Sequence, residues 1–181
     1  MLALLDQTLI GAATRVALEA DTASGTSQSF TFGELEIRSN RVAQLLSDRG
    51  ITRGSRLAFL LTNRVEIVDL WLACVKLGAI AVPINVLYQA REIAHIVGDA
   101  APVAVVTTRD RLDDVAEHVE HWDVDDLERD AHARTTIIAR PQFVRDTVCH
   151  ADTPLALVYT SGTTGASKGA RSEERRVGKE C

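Results

Sequence analysis

Short apolar runs alternate with stretches of helical periodicity along this chain, and that alternation limits the fold more than any other feature. Leu57-Ala58-Phe59-Leu60-Leu61 is apolar throughout, follows the turn Arg53-Gly54-Ser55, and is too short for a core helix, so it reads as a buried strand. Before it, Thr31-Phe32-Gly33-Glu34 has the capping-box pattern, which predicts a helix to about Arg49 with Leu35, Val42 and Leu46 on one face. Gly50 supplies a left-handed stop. After it, Asn63-Arg64-Val65-Glu66 repeats the capping logic and opens a second helix. Ile67, Val68, Leu70, Trp71, Leu72, Ala73, Cys74, Val75 and Leu77 leave that helix apolar on nearly every side, as a helix between layers would be. Gly78 ends it. Ile80-Ala81-Val82 is a short strand closed by Pro83, Arg91 to Val97 fits a third helix, and Val103-Ala104-Val105-Val106 fits another strand. Strand and helix in strict turn predict an α/β fold built on a mostly parallel sheet flanked by helices.

With 181 residues the chain can supply about one domain with a sizeable core. Apolar residues at 46% and charged residues at 25% exclude a disordered chain. The net charge of -5 argues against a nucleic-acid partner, while leaving room for a local basic nucleotide site. Cys74, Cys149 and Cys181 are three in number and widely spaced, which suits a reducing cytoplasm better than a disulfide framework. The start lacks a basic leader, and the most apolar stretch carries Asp69 and Lys76, so no transmembrane segment is expected.

The chemistry concentrates near the end. The apolar run Leu155-Ala156-Leu157-Val158 leads into Tyr159-Thr160-Ser161-Gly162-Thr163-Thr164-Gly165-Ala166-Ser167-Lys168-Gly169. A buried strand feeding a Gly, Ser and Thr loop with a late Lys suggests a phosphate grip. Glycines let backbone N–H groups approach an anion, hydroxyls add directional donors, and Lys adds charge. Three alternatives compete. A P-loop counted from Gly162 fails where Ser167 replaces its second Gly and Gly169 replaces its Ser or Thr. A nucleophile elbow fails because Ser161 lacks flanking glycines at the required spacing. A plain polar loop leaves the preceding strand and the residue order unaccounted for.

The run resembles the signature Y-T-S-G-T-T-G-x-P-K-G of the adenylate-forming enzymes, a family that includes acyl-CoA synthetases, non-ribosomal peptide adenylation domains and luciferases. Only Ser167, in place of the usual Pro, departs from it. The stretch from Thr31 to Val106 is also similar in order and spacing to the early part of that family's large N-terminal domain, so the fold implied is the incomplete first part of that domain. Val82-Pro83-Ile84-Asn85 resembles the acyl-CoA synthetase branch more than the peptide-synthetase branch. The resemblance implies an acid–thiol ligase that uses ATP with Mg2+ and then coenzyme A, acting on a small-molecule carboxylic acid. A peptide-synthetase-type adenylation fragment and a non-catalytic nucleotide-binding or interaction protein are the alternatives. It implies nucleotide contacts at Thr160, Ser161, Gly162, Thr163, Thr164, Gly165 and Lys168, with no catalytic or metal residue among the residues present. The family's remaining motifs would follow position 170, so this polypeptide alone is expected to be poorly soluble and to lack adenylating activity.

The other segments carry weaker signals. Leu9, Ala12, Ala13, Val16 and Ala17 fit one face of a short helix, and residues 21–28 read as a loop. From Asp113 to Asp130 an acidic segment reads as a solvated helix and loop, with His118 and His121 on a face that gives no sign of metal binding. Cys74 reads as a packed apolar residue, His95 as an ordinary helix residue, and Thr136-Ile137-Ile138-Ala139 as a further strand. Residues 171–181 hold seven charges in eleven positions and resemble the in-frame translation of a sequencing-adapter oligonucleotide. The expected division is a partial AMP-binding domain over 1–170 and a non-native tail over 171–181.

Overall fold

The structure is a computed structural model that describes residues 8–21, 27–115, 119–133, 154–160 and 168–173. Its centre is a six-stranded sheet in the order β6-β5-β3-β4-β7-β8. The strands are β3 (Arg56–Leu60), β4 (Ile80–Pro83), β5 (Ala104–Thr107), β6 (Glu120–Asp123), β7 (Pro154–Thr160) and β8 (Lys168–Glu173). The first five are parallel and β8 is antiparallel to β7. Among the described residues four helices flank the sheet: α1 (Phe32–Asp48), α2 (Val65–Leu77), α3 (Ala90–Ala100) and α4 (Val124–Ala133). This is the α/β architecture that the alternating pattern predicts.

Period-two alternation along β3 sorts the core into two layers. Leu57 and Phe59 face α1, α2 and α4, where they meet Leu46, Leu70, Cys74, Val124 and Leu127. Ala58 and Leu60 face α3, where they meet Ile93, Ile96 and Val97. Both faces are covered, which is why β3 and β5 read as continuous apolar runs.

The capping box forms as read. Glu34 N–H donates to Thr31 Oγ1 at 3.2 Å, and Thr31 N–H donates to Glu34 Oε2 at 2.7 Å. Gly50 (φ 87°) and Gly78 (φ 67°) take the left-handed conformation expected after their helices. Asn63 does not cap α2. The N-cap is Arg64, which has no side-chain cap bond and instead pairs with Glu66 and Asp125. Helix α3 begins earlier than expected because Gln89 and Glu92 form a capping box of their own.

Two segments differ from the sequence reading. Val16–Asp21 (β1) pairs antiparallel with Ser27–Thr31 (β2), so Val16 and Ala17 lie on a strand where a helix face is expected; of the loop expected at 21–28, residues 22–26 lie outside the described residues. Backbone pairing between these two strands outweighs the weak apolar spacing of Ala12, Val16 and Ala17. The acidic stretch is a 3-10 turn at Arg109–Asp114, then β6, then α4. His121 therefore stands on an edge strand, not a helix, and its Nδ1 lies 3.1 Å from the Val119 carbonyl. His118 and the strand expected at 136–139 lie outside the described residues.

Helix α2 also buries charge that its apolar pattern hides. Arg38 Nε donates to Asp69 Oδ2 at 2.8 Å, and Arg38 Nη2 reaches Asp69, Glu128 and Glu66 at 2.7, 3.2 and 3.6 Å. On the same helix, the Lys76 ammonium donates to Glu36 Oε2, Ser39 Oγ and Asn40 Oδ1 at 2.8, 2.7 and 2.7 Å. These two clusters tie α2 to α1, and through Glu128 to α4.

Candidate functional site

All five parallel strands point their carboxyl ends the same way, the edge at which open α/β sheets bind ligands. Strand β7 reaches that edge at Thr160, whose side chain is exposed. Strand β8 returns from the same edge, and the register sets Thr160 opposite Lys168 and Tyr159 opposite Gly169. Two of the expected nucleotide-binding residues, at opposite ends of the signature, are thus brought together by backbone pairing. Ser161, Gly162, Thr163, Thr164 and Gly165 lie outside the described residues. A hydroxyl and an ammonium residue opposite one another at this edge suit an anion such as a polyphosphate. Among the described residues, no three His, Cys, Asp or Glu side chains are grouped so as to hold a metal ion.

The base of this hairpin is closely built. Tyr159 is buried on the α3 side of the sheet, and its phenol donates to Asp99 Oδ2 at 2.5 Å. Burial first, and then the bond and charge of Asp99, push the Tyr159 pKa upward, so the phenol stays protonated and able to donate. Opposite it, Gly169 lies against the ring. A Cβ there would come within 3.2 Å of Tyr159 Cζ and 3.1 Å of Leu157 Cδ1. The close approach accounts for glycine at the last position of the signature. Tyr159 and Gly169 belong to that signature, whereas Asp99 gives no sequence signal, being one acid near the end of a helix sixty residues earlier.

Two residues weighed for chemistry have ordinary places. Cys74 is fully buried, and burial alone pushes its thiol pKa up to about 12, which makes it a packing residue and a poor nucleophile. His95 lies on the exposed side of α3. No helix among the described residues is long and apolar enough to cross a membrane.

Known proteins resemble this chain in sequence and fold. A long-chain-fatty-acid–CoA ligase of Mycobacterium tuberculosis is 34% identical over 162 residues, covering 84% of this chain and 31% of that protein. A probable non-canonical nonribosomal peptide synthetase of Salinispora arenicola is 36% identical over 141 residues, covering 77% of this chain and 2% of that protein. Among solved structures, O-succinylbenzoate coenzyme A synthetase of Bacillus subtilis, in complex with AMP, superposes with a TM-score of 0.78 at 28% identity, covering 93% of this chain and 41% of that one. The chain therefore spans less than half the length of the relatives it matches. The profile of the AMP-binding enzyme family matches residues 10–177, and the chain belongs to that family.

Proposed function

We propose that these residues are the N-terminal portion of an ATP-dependent carboxylic acid–CoA ligase, and that residues 160–168 hold the β- and γ-phosphates of ATP. The pairing of Thr160 with Lys168 at the carboxyl edge of the sheet carries this reading. Thr160, Ser161, Thr163 and Thr164 supply hydroxyl or backbone donors, Gly162 and Gly165 permit the loop its shape, and Lys168 offsets phosphate charge. In the reaction, a carboxylate oxygen bonds to the α-phosphorus while the bond to the β-phosphate breaks, so pyrophosphate leaves and an acyl-adenylate forms. The thiol of coenzyme A then attacks the acyl carbon and AMP departs. What the loop contributes is position and charge stabilisation for the leaving group. Mg2+ would enter with the nucleotide.

The choice of coenzyme A as acceptor rests on Val82-Pro83-Ile84-Asn85 and on the fatty-acid and succinylbenzoate ligases among the relatives. The likeness to a peptide synthetase favours a second reading, an adenylation domain that passes its acyl group to a carrier. The domain proposed covers 1–170, with 171–181 a non-native tail; the backbone of β8 crosses that boundary to Glu173.

Two measurements on the 181-residue chain test these roles. Magnesium pyrophosphate should bind saturably, and Lys168→Ala should weaken it about ten- to hundredfold, the usual range for a hydrogen bond to a charged group. Equal binding by both proteins would remove Lys168 from the site. The chain by itself should show no carboxylate-dependent ATP–pyrophosphate exchange, and measurable exchange would contradict the proposal that it is an inactive portion.

A further inference from the structure

The geometry points to Tyr159 as a positioning residue: its bond to Asp99 and its contact with Gly169 fix both stems of segment 161–167 against α3. This rests on reading residues 160–168 as a phosphate grip, and adds to it the part of the fold that holds the grip in place.

Three observations converge. First, Tyr159 is the residue immediately before Thr160, and it is buried, so a movement of its ring moves the root of the grip. A buried phenol needs a partner for its O–H, and Asp99 at 2.5 Å provides it. Second, Asp99 is the penultimate residue of α3. An acid there opposes the helix dipole, so its place is not accounted for by helix stability. Its bond to Tyr159 accounts for it. Third, Gly169, the residue after Lys168, lies so near the Tyr159 ring that a Cβ there would come within 3.2 Å of Cζ, and the ring would have to shift to admit it. One ring thus lies against the second stem across the ladder while its hydroxyl is held by the helix that covers the same face of the sheet. The end of α3 is itself closely fixed. Ala101, which closes it, adopts φ 43°, the one positive φ at a non-glycine residue among the described residues, and its N–H donates to the Val97 carbonyl at 2.9 Å.

The test compares Tyr159→Phe, Asp99→Ala and Asp99→Asn in the 181-residue chain by amide hydrogen exchange and by binding of magnesium pyrophosphate. Phenylalanine removes only the hydroxyl. Asparagine keeps an oxygen that can accept the phenol proton, and alanine does not. Loss of one such bond corresponds to about a three- to tenfold effect. In Tyr159→Phe and Asp99→Ala, amides of Tyr159, Thr160, Lys168 and Gly169 should exchange about three- to tenfold faster while β3 and β5 keep wild-type protection. The affinity for magnesium pyrophosphate should fall by a similar factor in both, the double variant should be no worse than either, and Asp99→Asn should retain wild-type behaviour. Unchanged exchange at the stems, or acceleration spread evenly over the sheet, overturns the inference. Faster exchange at the stems with unaltered affinity overturns the positioning role. If the wild-type chain binds no pyrophosphate yet exchange changes only at the stems, the stem-fixing contact stands and the phosphate reading falls.

Discussion

Alanine in place of Arg38 is expected to destabilise the chain by about 3–5 kcal/mol, the range for removing one partner of a buried ion pair. The guanidinium is the shared counter-ion of Asp69, Glu66 and Glu128, from three points on α2 and α4. Asp69 is most exposed to its loss. Its side chain is 3% accessible, and Oδ1 has no hydrogen-bond partner among the described residues. Burial pushes its pKa from 3.8 up to about 6, even with the opposing hydrogen bond and charge of Arg38. The folded value lies above the ordinary one, so the ionised form carries its full penalty above pH 6, and the penalty is relieved as the pH falls from 6 towards 4. Glu128 shifts upward too, through burial and the neighbouring Glu66, and adds to this relief. Burial is the largest influence on Glu66 and acts to raise it, but the bond and charge of Arg64 together with its other hydrogen bonds outweigh it and the net shift is downward, so Glu66 costs stability once the pH drops below about 4.5. Without Arg38 the penalty on Asp69 grows and protonation relieves more of it. The gap in urea midpoint between wild type and Arg38→Ala should therefore be widest near pH 7.5 and narrow towards pH 5. A gap that is small, or that does not change with pH, would mean the carboxylates find other partners or water.

Lys76 is the second large effect. Its side chain is 5% accessible, and its ammonium is ringed by Glu36 Oε2, Ser39 Oγ, Asn40 Oδ1 and the Glu36 carbonyl. Burial lowers its pKa, and the bond to Glu36 only partly opposes this. Lys76→Met keeps the length of the stem and removes the charge. It is expected to cost about 3–5 kcal/mol, because Glu36 then faces the α1–α2 seam without its cation. Glu36→Gln in the same background should recover part of the loss, since it removes the stranded charge. Wild-type urea midpoints for Lys76→Met would show that the ammonium contributes nothing and that its stem alone matters.

Much of the fold is legible in the sequence because its signals are local. The capping box at Thr31, the left-handed glycines at 50 and 78 and the apolar runs of β3 and β5 each act within a few residues, and each forms as read. What is not legible depends on partners far away in sequence. Asp69 and Lys76 look like interruptions in an apolar helix until α1 brings Arg38 and Glu36 beside them. The pairing of β1 with β2 depends on partners across the ladder, to which apolar spacing is blind. Strand β6 is an edge strand of Glu, His, Trp and Asp, and nothing in that composition separates it from a solvated loop until it pairs with β5. At the site, the residue types of the proposed phosphate grip are visible as a motif, and the register that joins Thr160 to Lys168 is not. The anchor at Asp99 is invisible for the same reason.

The most direct measurement is carboxylate-dependent ATP–pyrophosphate exchange by the product of the uninterrupted gene, obtained by long-read sequencing of the source DNA through the codon for Ala170. The expected result is a reading frame that continues past Ala170 and an enzyme that exchanges pyrophosphate only when a carboxylic acid is present. Lys168→Ala should slow that exchange by about a hundredfold or more, the effect of deleting one charge-stabilising group from an active site. A frame that ends at Cys181, or a product that hydrolyses ATP without any carboxylate, would contradict the ligase assignment.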